Sequence, residues 1–309
     1  MWKKSLIIPL HKKKDKLNCD NYRGVSLLPH CGKVMAMVIL QRIRKRTEEV
    51  LSEAQAGFRA GRSTVDQLFT LRRIAETYSE FSKQLYVCYV DFQKAFDSVW
   101  RAGLWQVMRF LGYEEKIVRL LEALYQNTMS AVRVDGGLSE WFETVVGVMQ
   151  GCVLSPLLFN LMLEVVIALA LKDNEIGVNI SGINISNLRF ADDISLLAGS
   201  NKDLQQLVDK VYTTSNRFGL KASSIKTKGQ CIGGGKKEIK IKLGCSDLTQ
   251  CEQFVYLGGV ISEDGSCDQD VTGRIGLAAG IVRISTTSGR RTTSASQQKY
   301  CCTKRWFVQ

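Results

Sequence analysis

Short apolar runs and helical stripes alternate along this chain, and their periods predict its elements. SLIIPL (residues 5–10) reads as a strand that gives way to the polar HKKKDKLNCDN, with YRGVSLL as its hairpin partner. From Gly32 to Glu49, Val34, Met35, Val38, Ile39 and Ile43 recur at helical spacing, while Arg42, Arg44, Lys45 and Arg46 fall on other faces. A Gly-rich basic loop, AGFRAGRST, leads into a second helix from about Val65 to Tyr78, with Thr64 placed to cap it. QLYVCYVDF is a β-rich run that ends in an acid, and a single long helix is expected from about Leu104 to Gln126. SAVRVDGGLSEWFETVVGV reads as a hairpin turning at Asp135-Gly136-Gly137. The longest apolar run, Leu157–Leu171, is broken by Asn160 and Glu164 and falls short of the ~18 residues of a membrane span. It predicts a buried core helix, with Ser155 as its cap and Pro156 in its first turn. SGINISNLRF and ISLLAG are strands flanking Ala191-Asp192-Asp193, Lys202–Phe218 is a helix, and FVYLGGVIS is a hairpin. Beyond it, GIVRISTTSGRRTTSASQQK has no amphipathic period on which to build a helix.

Composition narrows the class. The 309 residues are 45% hydrophobic and 23% charged, which is ordinary globular usage and excludes a collagenous or disordered chain. The net charge of +12 is unevenly spread. Residues 1–80 hold 16 Lys+Arg against 8 Asp+Glu, residues 281–309 hold 6 basic residues and no acids, and the middle is therefore slightly acidic. Basic ends around an acidic centre fit a chain that grips a polyanion at its flanks. The 10 cysteines show no CxxC spacing and only 2 histidines accompany them, so neither a zinc module nor a disulfide scaffold is indicated. Reduced thiols in an intracellular protein, with no signal peptide and no membrane partner, are the expectation.

The candidate chemistry lies in that acidic middle. Asp91 ends one apolar strand, and Asp192-Asp193 sit at the turn of a strand pair about a hundred residues later. Adjacent carboxylates repel unless a cation neutralises them, and Mg²⁺ takes one or two carboxylates together with substrate phosphates. Pattern alone thus raises a metal-dependent phosphoryl-transfer site without naming it.

A resemblance does. YVDFQKAFDSVW, GVMQGCVLSPLLFN and FADD, in that order, resemble the successive palm motifs of a reverse transcriptase. NYRGVSLL, QAGFRAGRSTVDQ, GLKASSIKTK and FVYLGGVIS resemble the non-LTR (LINE-type) retrotransposon branch, so that the likeness runs from about Trp2 to Arg274. It implies an α+β right-hand polymerase whose antiparallel palm sheet is backed by helices. Residues 1–80 would be fingers with their N-terminal part missing, 81–265 palm with a helical fingers insertion at about 100–128, and 266–309 a degenerate or truncated thumb. With Met1 inside the fingers, a fragment or decayed copy of a larger polyprotein is expected. The implied reaction is RNA-directed DNA synthesis, the addition of dNTPs to a DNA primer on an RNA template with two Mg²⁺ ions, which Mn²⁺ can replace. A catalytically silent nucleic-acid-binding remnant is the alternative, and nucleus and cytoplasm are the implied locations.

Residue roles follow from the same resemblance. Asp91 and Asp192 match the metal-binding carboxylates, with Asp193 beside them and the Phe92 carbonyl as a further metal ligand. Phe96 matches the aromatic gate against a ribose 2′-OH, and Gln150 and Gly151 line the nucleotide pocket. Arg23, with Lys12 or Lys13, would grip the triphosphate, and Lys226 would be the general acid for pyrophosphate. Arg59, Arg62 and Ser63 match template-backbone contacts, and Tyr256, Leu257, Gly258 and Gly259 the hairpin holding the primer end. Asp97 reads as a helix cap or ion-pair partner. Gly24 stands where the family usually has Pro, Phe190 replaces a Tyr, and Ser223 replaces an Asn.

Overall fold

Among the described residues sixteen strands and seven α-helices carry the architecture, and five of the strands are only two residues long. The computed structural model describes residues 3–12, 15–134, 136–233 and 238–289. The N-terminal hairpin forms as its pattern predicts: β1 (Lys4–His11) and β2 (Tyr22–Leu27) pair antiparallel from Leu6–Leu27 to His11–Tyr22. α1 (His30–Val50) and α2 (Thr64–Glu80) follow. The cap of α2 is Ser63, one residue before the expected Thr64. It forms a capping box with Asp66, its N–H donating to Asp66 Oδ2 at 2.6 Å.

β3 (Leu85–Val90) is buried at every position, which is why it reads as an unbroken apolar run. Two helices replace the single long one expected next, α3 (Arg101–Phe110) and α4 (Glu115–Tyr125). The break comes at Gly112, whose φ of +78° no helix interior accepts, and Arg46 seals it by donating twice to the Leu111 carbonyl at 3.0 and 2.8 Å. β4 (Met129–Val134) turns back through Gly136 into β5 (Gly137–Leu138), then β6 (Phe142–Glu143), and β4 also pairs parallel with β1. Asp135 of that turn lies outside the described residues.

α5 (Ser155–Ala170) is the buried core helix, with Pro156 in its first turn. Ser155 does not cap it. The helix starts after Leu154, and the Ser155 hydroxyl donates to the Met149 carbonyl at 2.7 Å. SGINISNLRF, expected as one strand, divides into β8 (Ile183–Ile185), which pairs with β7 (Val178–Ile180), and β9 (Asn187–Phe190). β10 (Asp193–Ala198), α6 (Asn201–Arg217) and β11 (Lys228–Ile232) come next. The short strands β12 (Lys242–Leu243) and β13 (Ser246–Asp247) form a hairpin, and β14 (Thr249–Gln250) lies beside β11. β15 (Gln253–Tyr256) and β16 (Gly259–Ser262) form the last hairpin.

The central sheet has the order β14-β11-β3-β10-β9 and is antiparallel apart from β14. Helices α3, α5 and α6 cover one face, where Phe159, Leu158, Leu161 and Met162 are among the fully buried side chains. α2 and the β15–β16 hairpin cover the other through Leu71, Tyr89 and Tyr256. The C-terminal reading needs correction: α7 (Asp268–Gly289) is a helix. Its first turn is fixed locally, since Asp270 pairs with Arg72 and Arg274 and accepts the Val260 N–H at 2.9 Å. The missing amphipathic period shows instead in packing, because residues 271–282 are all exposed. No helix among the described residues is long and apolar enough to cross a membrane.

Candidate active site

Asp91 is the first residue to emerge from fully buried β3, so the strand fixes where its carboxylate starts. Segment 221–227 then runs back along it. The Asp91 carbonyl accepts the Ser223 N–H at 2.8 Å, Phe92 pairs with Ala222, and the Gln93 N–H donates to the Lys221 carbonyl at 2.8 Å. Lys226, on this segment, places Nζ 3.1 Å from Asp91 Oδ1.

The other two carboxylates come from the β9–β10 hairpin, whose two-residue turn is Ala191-Asp192 with Phe190 paired to Asp193. Ile194 pairs with Val90, so the register carries Asp193 towards Asp91. Desolvation raises the Asp192 carboxyl and the charge of Asp91 adds to it, while its own backbone N–H, Arg23 and Lys226 oppose the rise. Asp193 is pushed up to about 6 by desolvation and then by the charges of Asp192 and Asp91, against Lys226. Asp193 keeps solvent access, so we read its shift chiefly as the mark of crowded negative charge.

Crowded carboxylates of this kind are relieved by a cation, and the Lys226 ammonium stands in for one at Asp91. Hard oxygen donors fit a hard divalent ion. Among the described residues no group of three or more His, Cys, Asp or Glu forms a ready-made metal cage. Mg²⁺ in general takes one or two carboxylates and completes its shell with water and substrate phosphates.

Of the expected nucleotide residues, Arg23, Gln150 and Gly151 lie on or against the neighbouring sheet. Arg23 on β2 pairs with Leu10 and its charge reaches Asp192. Gln150 and Gly151 pack on the same strand. The Gln150 carbonyl accepts the Ser26 N–H at 2.6 Å, and at Gly151 (φ +109°) a Cβ would stand 2.8 Å from the Ser26 carbonyl oxygen. Lys94 and Lys12 lie close enough to lower the Asp97 carboxyl against the desolvation that raises it. Asp97 sits in a 3₁₀ turn, Ala95–Ser98, with those cations as its partners. Phe96, in the same turn, is half-buried and stacks on Phe159 with ring centroids 5.0 Å apart. Lys13 lies outside the described residues.

The expected polymer contacts divide. Arg59 is engaged within the chain. Its side chain is 6% exposed and is held by Glu48 at 2.9 Å and by the Ser52 and Gln55 carbonyls at 2.8 and 2.9 Å. Arg62 is more open and pairs with Glu53, and Ser63 is the α2 cap. Tyr256 is buried on the sheet, its hydroxyl accepting from Ser195 Oγ at 3.4 Å. Leu257 and Gly258 form the tip of its hairpin with φ +48° and +83°, the signs of a type I′ turn. Gly259 is fixed by close approach, since a Cβ there would meet Leu68 at 2.4 Å.

Sequence reading missed a buried polar cluster behind the Ala191-Asp192 turn. Residues 54–57 cover the exposed edge of β9. The Ala56 N–H donates to the Arg189 carbonyl at 2.9 Å, and the Arg189 N–H to the Ala54 carbonyl at 2.8 Å. Gln67 of α2 donates to the Ala54 carbonyl at 3.1 Å, and Asn160 of α5 to the Gly57 carbonyl at 2.7 Å. Glu164 pairs with Arg189 at 3.3 Å, both buried. The visible signal was the interruption of the apolar α5 run by Asn160 and Glu164, which are the residues that reach this cluster.

The profile of the family described as Reverse transcriptase (RNA-dependent DNA polymerase) matches residues 10–261. The chain is 24% identical over 277 residues to the RNA-directed DNA polymerase from mobile element jockey of Drosophila funebris, covering 87% of this chain and 30% of that protein. It is 30% identical over 186 residues to the Pol polyprotein from type-2 retrotransposable element R2DM of Drosophila melanogaster, covering 57% and 17%. It thus spans less than a third of the length of these relatives. In fold it is similar to telomerase from Candida tropicalis, with a TM-score of 0.60 at 12% identity, covering 86% of this chain and 45% of that one. This is the right-hand polymerase fold, α+β with an antiparallel palm sheet backed by helices. The chain belongs to the reverse transcriptase (RNA-dependent DNA polymerase) family, on its non-LTR retrotransposon branch.

Proposed function

We propose that this chain performs RNA-directed DNA synthesis in retrotransposition, joining dNTPs to the 3′-OH of a DNA primer paired to an RNA template. The observation that carries the reading is the meeting of Asp91, Asp192 and Asp193 at one end of the central sheet, with Lys226 and Arg23 in electrostatic reach. Asp91 and Asp192 would hold the metal ions, with Asp193 and the Phe92 carbonyl in support. Two Mg²⁺ ions, once bound, supply charge stabilisation at the attacking and leaving oxygens.

The chain's own groups do the rest. Arg23, whose charge reaches Asp192, can hold phosphate oxygens in a fork, Lys12, whose charge reaches Asp97, adds a point charge, and Gln150 and Gly151 pack beside Ser26 of the Arg23 strand. Lys226 can give a proton to departing pyrophosphate once released from Asp91. Phe96, braced on Phe159, is the ring against a ribose 2′-OH. Arg62 and the Leu257–Gly258 tip are the polymer contacts. In this reading residues 1–80 are fingers, 81–265 palm with a fingers insertion at about 100–128, and α7 the base of a thumb. Free thiols at every described cysteine suit a nuclear and cytoplasmic protein.

Extension of oligo(dT) on poly(rA) with Mg²⁺ and dTTP tests the proposal. Template-dependent product is expected. Binding of primer-template without any extension, in Mg²⁺ or Mn²⁺, would overturn it in favour of a silent nucleic-acid-binding remnant.

A further inference from the structure

Resting on the reading of the carboxylates as a metal centre, we infer that Gln55 is a positioning residue that sets the catalytic turn from behind. The turn itself is unfavourable. Ala191 has φ +56°, and Asp192 after it is not among the positive-φ residues. That sign pattern is a type II′ turn, whose first central position strongly prefers glycine. An alanine there is strained, and the strain persists only where the surroundings over-determine it.

Gln55 supplies that determination. It is completely buried, and its Oε1 accepts the Ala191 N–H at 2.9 Å and the Gly57 N–H at 2.8 Å. Two N–H donors fix which end of the amide is oxygen. Its Nε2 then points at the Ala191 carbonyl, 3.5 Å away. The Ala191 N–H takes no part in the hairpin ladder, which closes through Phe190 and Asp193. Without Gln55 it would be a buried orphan donor. Gly57 presses on the same spot, and its carbonyl is tethered by Asn160. The side chain thus joins the 54–57 segment to the one strained residue that immediately precedes Asp192 and Asp193. It touches no reacting atom and acts through Ala191.

The test is Mn²⁺ binding to the whole chain, followed by electron paramagnetic resonance without nucleic acid or dNTP, beside thermal melting. Gln55→Leu keeps the volume and removes the acceptor, and Mn²⁺ affinity is expected to fall about tenfold or more, the usual effect of losing an outer-shell partner. Ala191→Gly removes the strain the turn must bear. In that background Gln55→Leu is expected to lower the melting temperature as before but to change Mn²⁺ affinity less than about threefold. Equal affinity losses in both backgrounds would make Gln55 a mere packing residue and overturn the inference. So would unchanged affinity in the single variant. Gln55→Glu keeps an acceptor at the same reach. If Gln55→Leu fails to fold, retained Mn²⁺ affinity in Gln55→Glu supports the inference and a tenfold loss overturns it. A wild-type chain that binds no Mn²⁺, or an Asp192→Asn variant that binds it equally well, would instead overturn the metal-centre reading and the inference with it.

Discussion

Replacing Gly57 by alanine is the smallest change that should disturb the Ala191-Asp192 turn and, with it, the proposed metal centre. A Cβ at this position would stand 2.2 Å from the Ala191 nitrogen and 2.9 Å from the Phe190 carbonyl carbon. Both are backbone atoms, so no side chain can swing away to make room. The shorter contact is about 1.2 Å inside the 3.4 Å at which ordinary contact begins, so the turn or residues 54–57 must shift by about that much. Overpacking of this kind costs about 1–3 kcal/mol, which a domain stable by roughly 5–15 kcal/mol survives. Positioning is less forgiving, since a misplacement of about 1 Å at a reacting centre can cost about a hundredfold. Gly57→Ala is therefore expected to stay folded, to melt several degrees lower, and to lose about a hundredfold in the rate of primer extension at saturating dNTP. Gly276→Ala is the control, because nothing lies within 4 Å of that position in α7. It should leave extension unchanged. Extension by Gly57→Ala within threefold of wild type, at an unchanged melting temperature, would refute the argument.

Other perturbations probe other links. Asp193 titrates near 6 in the folded chain against an ordinary value of 3.8, so the folded state binds more protons within that window. Metal-free stability should then fall as pH rises through it. Asp193→Asn should raise the melting temperature in EDTA above pH 7, with the gain gone below about pH 4, and calorimetry that finds no gain at pH 7.5 would contradict the charge crowding. Glu164→Gln leaves the buried Arg189 guanidinium without its counter-charge, and urea unfolding should show a loss of about 3–5 kcal/mol; a loss under about 1 kcal/mol would mean the pair is incidental. Phe96→Val should raise incorporation of rUTP relative to dTTP by roughly tenfold or more, as expected when a pocket wall is cut back. Unchanged selectivity would remove Phe96 as the gate.

Much of this was legible in the sequence where a single period dominated. β3, β10, α1, α2, α5 and α6 each bury one face or all of themselves, and burial writes itself into hydrophobic spacing. The carboxylates were legible for a related reason, as acids ending apolar strands. The failures have physical causes too. Helical spacing continued across Gly112, so only the glycine's left-handed backbone marked the break between α3 and α4. α7 escaped because a helix with no buried face leaves no period. For Arg59 the sequence showed the charge but not its partners, Glu48 and two carbonyls. Gln55 was unreadable for the opposite reason: it is one neutral amide whose partner lies 136 residues away.

The central claim is that Asp192 works on metal-dependent chemistry and not on the fold. Asp192→Asn removes one negative charge from a crowded turn and keeps its shape, so stability should be equal to wild type or higher. Side by side with wild type on poly(rA)/oligo(dT) in Mg²⁺, the variant should bind primer-template and melt no lower, yet lose extension by roughly a thousandfold or more. Extension within a few fold of wild type would contradict the account.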